Sequence, residues 1–103
     1  MIELTTTEDF DQVVTENKVV LVEFWANWCG SCKAFGVLLE SIENNFPSVV
    51  FAKVNIEQAS DLALEYNIAS LPSLFCFHEG KMYAQENGAI PAHRIRSLLP
   101  DIQ

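Results

Sequence analysis

Residues 25–33 read Trp25-Ala26-Asn27-Trp28-Cys29-Gly30-Ser31-Cys32-Lys33. Two of them, Cys29 and Cys32, are cysteines three positions apart, and they follow the apolar run Val19–Phe24. The apolar run predicts a buried strand, and the residues from Cys32 to about Asn44 predict a helix. We therefore expect the cysteine pair on a strand-to-helix turn, with Cys29 just before the helix and Cys32 in its first turn.

This position favours a thiolate at Cys29. A helix begins with unpaired backbone N–H groups and with the positive end of its dipole, and both stabilise a negative charge. A favourable helix terminus contributes up to about 2 kcal/mol, against about 1.4 kcal/mol for each pKa unit. Because a free cysteine titrates near pH ~8.5, we expect the turn to lower the pKa of Cys29 toward neutral pH.

Length, composition and charge restrict the class of protein. A chain of 103 residues predicts one domain, residues 1–103, and its apolar half is enough for a core without structural disulfides or metal. The formal net charge of −8 argues against nucleic acid as a partner, since phosphate binding needs a basic stripe. The same charge argues against an anionic membrane surface.

The first residues carry no recognisable secretion signal. The segment Met1-Ile2-Glu3-Leu4 leads into polar residues, without a basic region or a long apolar region. No segment approaches the roughly 20 apolar residues of a membrane span. We therefore expect a cytoplasmic protein. Structural disulfides are rare in that reducing compartment, so the Cys-x-x-Cys pair predicts a catalytic or a metal-binding site.

The whole chain predicts the order β-α-β-α-β followed by α-β-β-α. The predicted strands are Ile2–Leu4, Val19–Phe24, Val49–Asn55, Ser73–Phe77 and Lys81–Glu86. The predicted helices are one capped at Thr6, one from Cys32 to about Asn44, a short one over Asp61–Tyr66 capped by Ser60, and Pro91–Leu99 with Pro91 first. Two crossovers imply parallel strands, and a turn at Gly80 adds an antiparallel pair. Continuously apolar strands are covered on both faces, which predicts a three-layer α/β/α domain with a mixed, five-stranded sheet.

Several separated motifs resemble the thioredoxin family. Residues 24–33 resemble its F-W-A-x-W-C-G-P-C-K motif, Lys53-Val54-Asn55 resembles its K-x-N strand, and residues 68–74 resemble its I-x-x-x-P-T-L segment. Gly80 and the pair Gly88-Ala89 match its hairpin glycine and its later G-A pair. The resemblance covers nearly all of the chain. It implies a thioredoxin fold and a protein disulfide oxidoreductase that reduces the disulfides of target proteins.

Three positions depart from the family pattern. Ser31 replaces the proline between the cysteines, Glu23 replaces a buried aspartate, and Val37, beside Gly36, replaces a proline that kinks the helix. Ser31 restores a backbone N–H that proline lacks. Donation from that N–H to the Cys29 thiolate would make the pair more oxidising, and a neutral substitution is the alternative.

Thiol–disulfide exchange needs an accessible thiolate and a second thiol that resolves the mixed disulfide. We expect Cys29, the more exposed, to be the nucleophile and Cys32 to be the buried, resolving thiol. Glu23 lies in an apolar strand, where desolvation raises a carboxyl pKa, and this suits a group that accepts and returns the Cys32 proton. Lys53 on the neighbouring strand would pair with Glu23. In the alternative, Glu23 reaches solvent and Lys53 only extends its stem along the surface.

A substrate groove is expected beside Cys29. The resemblance implies a cis peptide bond before Pro72, which leaves the Leu71 backbone free to pair with an extended peptide and keeps metal from the sulfurs. Gly30 is expected to let the turn close without a Cβ clash. Trp28 would form a flat apolar wall. The other expected lining residues are Gly30, Ser31, Leu71, Gly88 and Ala89.

No cofactor is expected beyond the two sulfurs, because the chain carries no nucleotide fingerprint. The resemblance implies an NADPH-dependent flavoprotein, thioredoxin reductase, as electron donor to a monomer. A zinc or iron–sulfur site needs about four ligands, and only Cys76 and His78 could complete one. Cys76 lies in an apolar strand and is expected to pack as a small hydrophobe. The rival functions are an oxidant or isomerase, a binding module with dispensable cysteines, and a metal-binding protein.

Overall fold

The computed structural model describes residues 1–101, and its elements follow the order predicted from the sequence. The strands are β1 (Ile2–Glu3), β2 (Val19–Trp25), β3 (Val50–Asn55), β4 (Ser73–His78) and β5 (Lys81–Asn87). The helices are α1 (Thr7–Glu16), α2 (Gly30–Ile42), α3 (Ser60–Glu65) and α4 (Ala92–Ile95), with 3-10 turns at Glu43–Asn45 and Arg96–Leu98. In the described part of the chain, no helix has the length and apolar character needed to cross a membrane.

The five strands form one mixed sheet in the order β1-β3-β2-β4-β5. Strands β1, β3 and β2 run parallel, whereas β4 is antiparallel to β2 and β5 is antiparallel to β4. The α/β architecture with a five-stranded mixed sheet is therefore confirmed. Strand β2 is central, and residues 26–29 connect its end to the start of α2.

The core lies on both faces of the sheet, because successive side chains of a strand point to opposite faces. On one face Val20, Val22 and Phe24 pack in a cluster with Phe10 of α1. On the other face Val19 and Leu21 pack with residues of α2 and α4, namely Phe35, Leu39 and Ile95. The same alternation directs the next odd-numbered residue of β2, Glu23, toward α2.

Helix α2 begins two residues earlier than predicted, at Gly30 rather than Cys32, and it ends at Ile42. The earlier start has a local cause. The side chain of Cys29 accepts a hydrogen bond from the backbone N–H of Cys32 and so caps the helix.

Two other predicted helix starts differ from the structure. Ser60 is the first residue of α3 and not its cap, a position that Ala59 takes without a side-chain hydrogen bond. Pro91 precedes α4 in an extended conformation (ψ 155°), so it is not the first helical residue. The predicted cap at Thr6 is confirmed, because its hydroxyl accepts a hydrogen bond from the N–H of Asp9 at 3.1 Å.

Candidate active site

Cys29 and Cys32 are joined by a disulfide at the start of α2, with their Cα atoms 5.3 Å apart. Cys29 is the residue before the helix and Cys32 lies in its first turn, as the sequence predicts. The Cys29 Sγ accepts a hydrogen bond from the backbone N–H of Cys32 at 3.2 Å. After reduction, this donor and the helix dipole are placed to stabilise a thiolate on Cys29.

The two sulfurs differ in their access to solvent. Cys29 is 7% exposed, whereas Cys32 is 1% exposed. A disulfide approaching from solvent therefore meets Cys29 first. This order supports Cys29 as the attacking thiol and Cys32 as the resolving thiol.

Ser31 contributes a hydroxyl rather than a backbone donor. Its Oγ lies 3.5 Å from the Cys29 Sγ, and the backbone N–H that donates to this sulfur belongs to Cys32. The expected donation from the Ser31 N–H is therefore corrected. In the first turn of the helix, the N–H of the third residue points back at the capping atom.

Glu23 is a buried carboxyl on the α2 side of the sheet, with only 1% of its surface exposed. The alternative in which it reaches solvent is therefore wrong. Burial raises the pKa of Glu23 from its ordinary value of 4.5 to about 7; Lys53 opposes this rise and Glu40 adds to it. A carboxyl of this pKa exchanges protons near neutral pH, as a general acid or base must.

Lys53 lies beside Glu23 in register, because β3 pairs with β2 at these two positions. Its Nζ lies 5.5 Å from the centroid of the Trp25 ring, a cation–π distance. Among residues 1–101, no ion pair within 4.0 Å joins Lys53 to Glu23. The expected contact pair is thus replaced by a longer-range attraction, which lowers the pKa of Glu23.

A pocket of about 270 Å³ lies behind the disulfide and connects these groups. Its lining includes Cys32, Glu23, Trp25, Gly36 and Lys53. Within the described residues, the Glu23 Oε2 and the Trp25 Nε1 are buried without a hydrogen-bond partner. The resolving cysteine and the buried carboxyl therefore line the same pocket.

The expected substrate groove is only partly assembled by the structure. Trp28 is 70% exposed, as a docking wall would be. Ser31 and Ala89 line one shallow pocket of about 260 Å³, and the remaining lining is apolar, including Phe35 and Ile90. Trp28 does not line this pocket, so the two features form separate parts of the surface around the disulfide.

Backbone hydrogen bonding joins two other parts of the expected groove, the Leu71–Pro72 segment and Gly88. The Leu71–Pro72 peptide bond is cis, as expected. The Pro72 carbonyl accepts a hydrogen bond from the N–H of Gly88 at 2.7 Å. Gly88 has a φ of +88°, a left-handed conformation that favours glycine. The hydrogen bond to Pro72 thereby holds Gly88 beside the segment that contains Leu71.

The expected role of Gly30 is wrong. Beyond its chain neighbours and the backbone of α2, a Cβ at this position would meet no heavy atom within 4 Å. Gly30 is the first residue of α2, and its φ is not positive. The turn therefore does not require glycine for clearance.

Sequence reasoning missed the contacts that hold the loop before Cys29. The N–H of Asn27 donates to the Glu57 Oε1 at 3.2 Å, and the N–H of Glu57 donates to the Asn55 Oδ1 at 2.9 Å. Asn55 lies at the end of β3, so the neighbouring strand positions the approach to the cysteines. The only signal of these contacts in the sequence was the presence of two polar residues, Asn55 and Glu57, at the end of an apolar strand.

Cys76 lies apart from this site, in the apolar cluster beneath α2. It is a free, fully buried cysteine, and burial raises the pKa of its thiol to about 11. His78 follows at the end of β4 and packs against Tyr83. Among residues 1–101, no three or more histidine, cysteine or acidic side chains are grouped to hold a metal ion.

Cys76 is expected to resist alkylation in the reduced, folded protein. A rise in pKa of two units reduces the thiolate fraction about 100-fold, and burial blocks access as well. Peptide mapping after iodoacetamide treatment measures this, with the urea-unfolded protein as control. Labelling of Cys76 at equal rates in the two states would contradict its placement in the core.

Comparisons with known proteins agree with this geometry. The thioredoxin family model matches residues 1–101. The thioredoxin of Mycoplasmoides gallisepticum is 38% identical over 96 residues, which cover 93% of this chain and 96% of that protein. Thioredoxin C-2 of Corynebacterium nephridii is 37% identical over 97 residues, 92% of this chain and 90% of that protein. The X-ray structure of Fasciola hepatica thioredoxin has a TM-score of 0.89 at 29% identity, covering 95% and 96% of the two chains. With a Cys-x-x-Cys disulfide at the start of α2, this chain belongs to the thioredoxin family.

Proposed function

We propose that this thiol–disulfide oxidoreductase acts as a reductant of protein disulfides. The observation that carries the proposal is the Cys29 sulfur, which caps α2 and is the more exposed of the pair. The Cys29 thiolate attacks one sulfur of a target disulfide, and the other target sulfur leaves as a thiolate. Cys32 then attacks Cys29, releases the second target thiol and forms the intramolecular disulfide. Two electrons pass from the protein to the target.

Glu23 is the proposed proton acceptor for Cys32. The resolving thiol must lose its proton before it attacks, and Glu23 lines the same pocket with a pKa raised to about 7. Lys53, on the neighbouring strand, lowers the pKa of Glu23, because its positive charge favours the ionised carboxylate. These two residues and the two cysteines form the proposed catalytic set.

The proposed substrate surface surrounds Cys29. Trp28 offers exposed aromatic area, and the Leu71 backbone next to Pro72 offers main-chain hydrogen bonds to an extended peptide. The other proposed contact residues are Gly30, Ser31, Gly88 and Ala89. The pocket that Ser31 and Ala89 line is shallow, which suits protein targets that differ in sequence.

The remaining proposals concern the protein's surroundings. Family membership supports thioredoxin reductase, an NADPH-dependent flavoprotein, as electron donor, with no cofactor in the chain beyond its two sulfurs. We place the protein in the cytoplasm as a monomer of one domain, residues 1–103. The net charge of −8 supports protein targets rather than nucleic acid or membrane.

A single-turnover assay tests the proposed function. The protein is reduced, freed of reductant and mixed with a synthetic disulfide peptide. Mass spectrometry should show one peptide disulfide opened for each Cys29–Cys32 disulfide formed. Peptide that stays oxidised in the presence of reduced protein would contradict the reductase role.

Ser31→Ala and Ser31→Pro are expected to lower the reduction potential of the pair. The hydroxyl near the Cys29 sulfur stabilises the thiolate, and a hydrogen bond of about 0.5–1.5 kcal/mol corresponds to roughly 10–30 mV. Equilibration with a glutathione buffer measures the potentials. Equal potentials in all three proteins would contradict the effect of the hydroxyl. A wild-type reduction potential of about −120 mV would favour the oxidant function instead.

A further inference from the structure

Gly36 lies one helical turn after Cys32, on the same face of α2. It lines the pocket that also contains Cys32 and Glu23. A methyl carbon at position 36 would lie 3.2 Å from the Glu23 Oε1, and beyond its chain neighbours and the backbone of α2 it would meet no other heavy atom within 4 Å. The space above Gly36 is therefore limited by one atom, a carboxyl oxygen of the proposed proton acceptor.

The backbone does not explain a glycine at this position. Gly36 lies inside α2 and its φ is not positive, so an alanine could adopt the same backbone conformation. Alanine is also more favourable than glycine in a helix interior. The contact with Glu23 is thus the structural reason that remains.

We propose that Gly36 is a positioning residue, whose missing side chain leaves room for the Glu23 carboxyl behind Cys32. The inference rests on the proposed proton-transfer role of Glu23. A contact of 3.2 Å is tighter than ordinary van der Waals contact, so a side chain at position 36 would displace the carboxyl by a few tenths of an ångström. The carboxyl would then move relative to the Cys32 sulfur that it serves.

The groups around Glu23 determine how the displacement would change the protonation of its carboxyl. Lys53 faces it from β3, and Glu40 faces it from α2. The other titratable groups that line the pocket are Cys32 and Lys33 of α2 and the amino group of Met1. On the opposite side, β4 presents Leu74, which is buried and apolar. An added methyl group crowds the carboxylate from the α2 side and brings no charge, so it favours the protonated acid.

A double-mutant cycle tests the contact. The proteins are wild type, Gly36→Ala, Glu23→Asp and the double variant, and Ser41→Ala on the exposed side of α2 is the control for helix propensity. Gly36→Ala should slow resolution of the mixed disulfide by roughly fivefold, since a misplacement of about 1 Å can cost about 100-fold. In the Glu23→Asp background, which is one methylene shorter, the same substitution should have less than about twofold effect. An equal slowing in both backgrounds would overturn the proposal.

A direct titration separates this inference from the proposed function. The carboxyl carbon of Glu23, followed by ¹³C NMR, should titrate at higher pH in Gly36→Ala than in wild type, and Ser41→Ala should match wild type. An unchanged or lower midpoint would overturn the positioning role. If the midpoint rises while the pH profile of disulfide resolution stays fixed, the placement by Gly36 stands and the proton-transfer role of Glu23 fails.

Discussion

Replacing Cys29 with serine is expected to reduce disulfide reductase activity below about 0.1% of wild type, because removal of a catalytic nucleophile removes the reaction path itself. A serine hydroxyl at this position cannot attack a disulfide at neutral pH. The fold should persist, since a serine side chain also caps helices. Turnover of a synthetic disulfide peptide by the folded variant measures the loss.

Replacing Cys32 with serine separates the two thiols. The Cys29 thiolate can still attack, but nothing resolves the product, so the variant should accumulate a mixed disulfide between Cys29 and the peptide. Intact-mass analysis detects this adduct. An adduct on residue 32 in the Cys29→Ser protein, at the rate seen for Cys29, would reverse the assignment of nucleophile and resolving thiol. A biological phenotype that survives loss of both cysteines would favour the binding-module function.

A second large effect is expected from Glu23, on the pH dependence of the free energy of unfolding. The pKa of Glu23 is raised by burial from 4.5 to about 7 in the folded protein. The folded state therefore holds the proton more tightly than the unfolded state does. Stability from this group is complete below pH 4.5 and is lost as the pH rises toward 7.

The Glu23→Gln variant should lack this loss, because glutamine does not ionise. A difference of two to three pKa units corresponds to about 3 kcal/mol. As the pH rises from acidic to mildly alkaline, the free energy of unfolding of wild type should therefore fall by about that much relative to that of the variant. Urea unfolding of the oxidised proteins across this range provides the measurement.

Glu16→Gln is the matched control, since Glu16 is an exposed carboxylate at the end of α1. It should leave the pH dependence of unfolding as in wild type. Parallel curves for Glu23→Gln and wild type would contradict the burial of a titrating carboxyl. The same variant should also change the pH dependence of disulfide reduction, and an unchanged profile would exclude Glu23 from proton transfer.

The architecture could be predicted because its signals are strong and local. The continuous apolar run of β2 indicated a strand covered on both faces, and the helical pattern after it placed the cysteine pair on a turn between strand and helix. Alternation along β2 also accounts for the burial of Glu23 toward α2. The exact helix starts at Gly30 and Ala92 were missed, because caps depend on the hydrogen-bond partner that a particular side chain finds in three dimensions.

The site was less predictable where contacts join separate elements. The Ser31 hydroxyl, the position of Lys53 over Trp25 and the clearance at Gly36 all depend on side-chain directions. The missing Cβ of glycine suggested a steric role for Gly30, where the structure has open space, and the sequence gave no sign of the tight contact at Gly36. The identity of a residue shows what chemistry it can do, but not which neighbour limits it.

Alkylation of Cys29 in the reduced protein most directly measures whether the helix start creates a reactive thiolate. Iodoacetamide labelling is followed by peptide mapping across mildly acidic to neutral pH, with the urea-unfolded chain as the reference for an unperturbed thiol. We predict that Cys29 reacts faster in the folded protein than in the unfolded chain, while Cys32 and Cys76 react more slowly. Labelling of Cys29 that is no faster than in the unfolded chain over this range would contradict thiolate stabilisation at the start of α2.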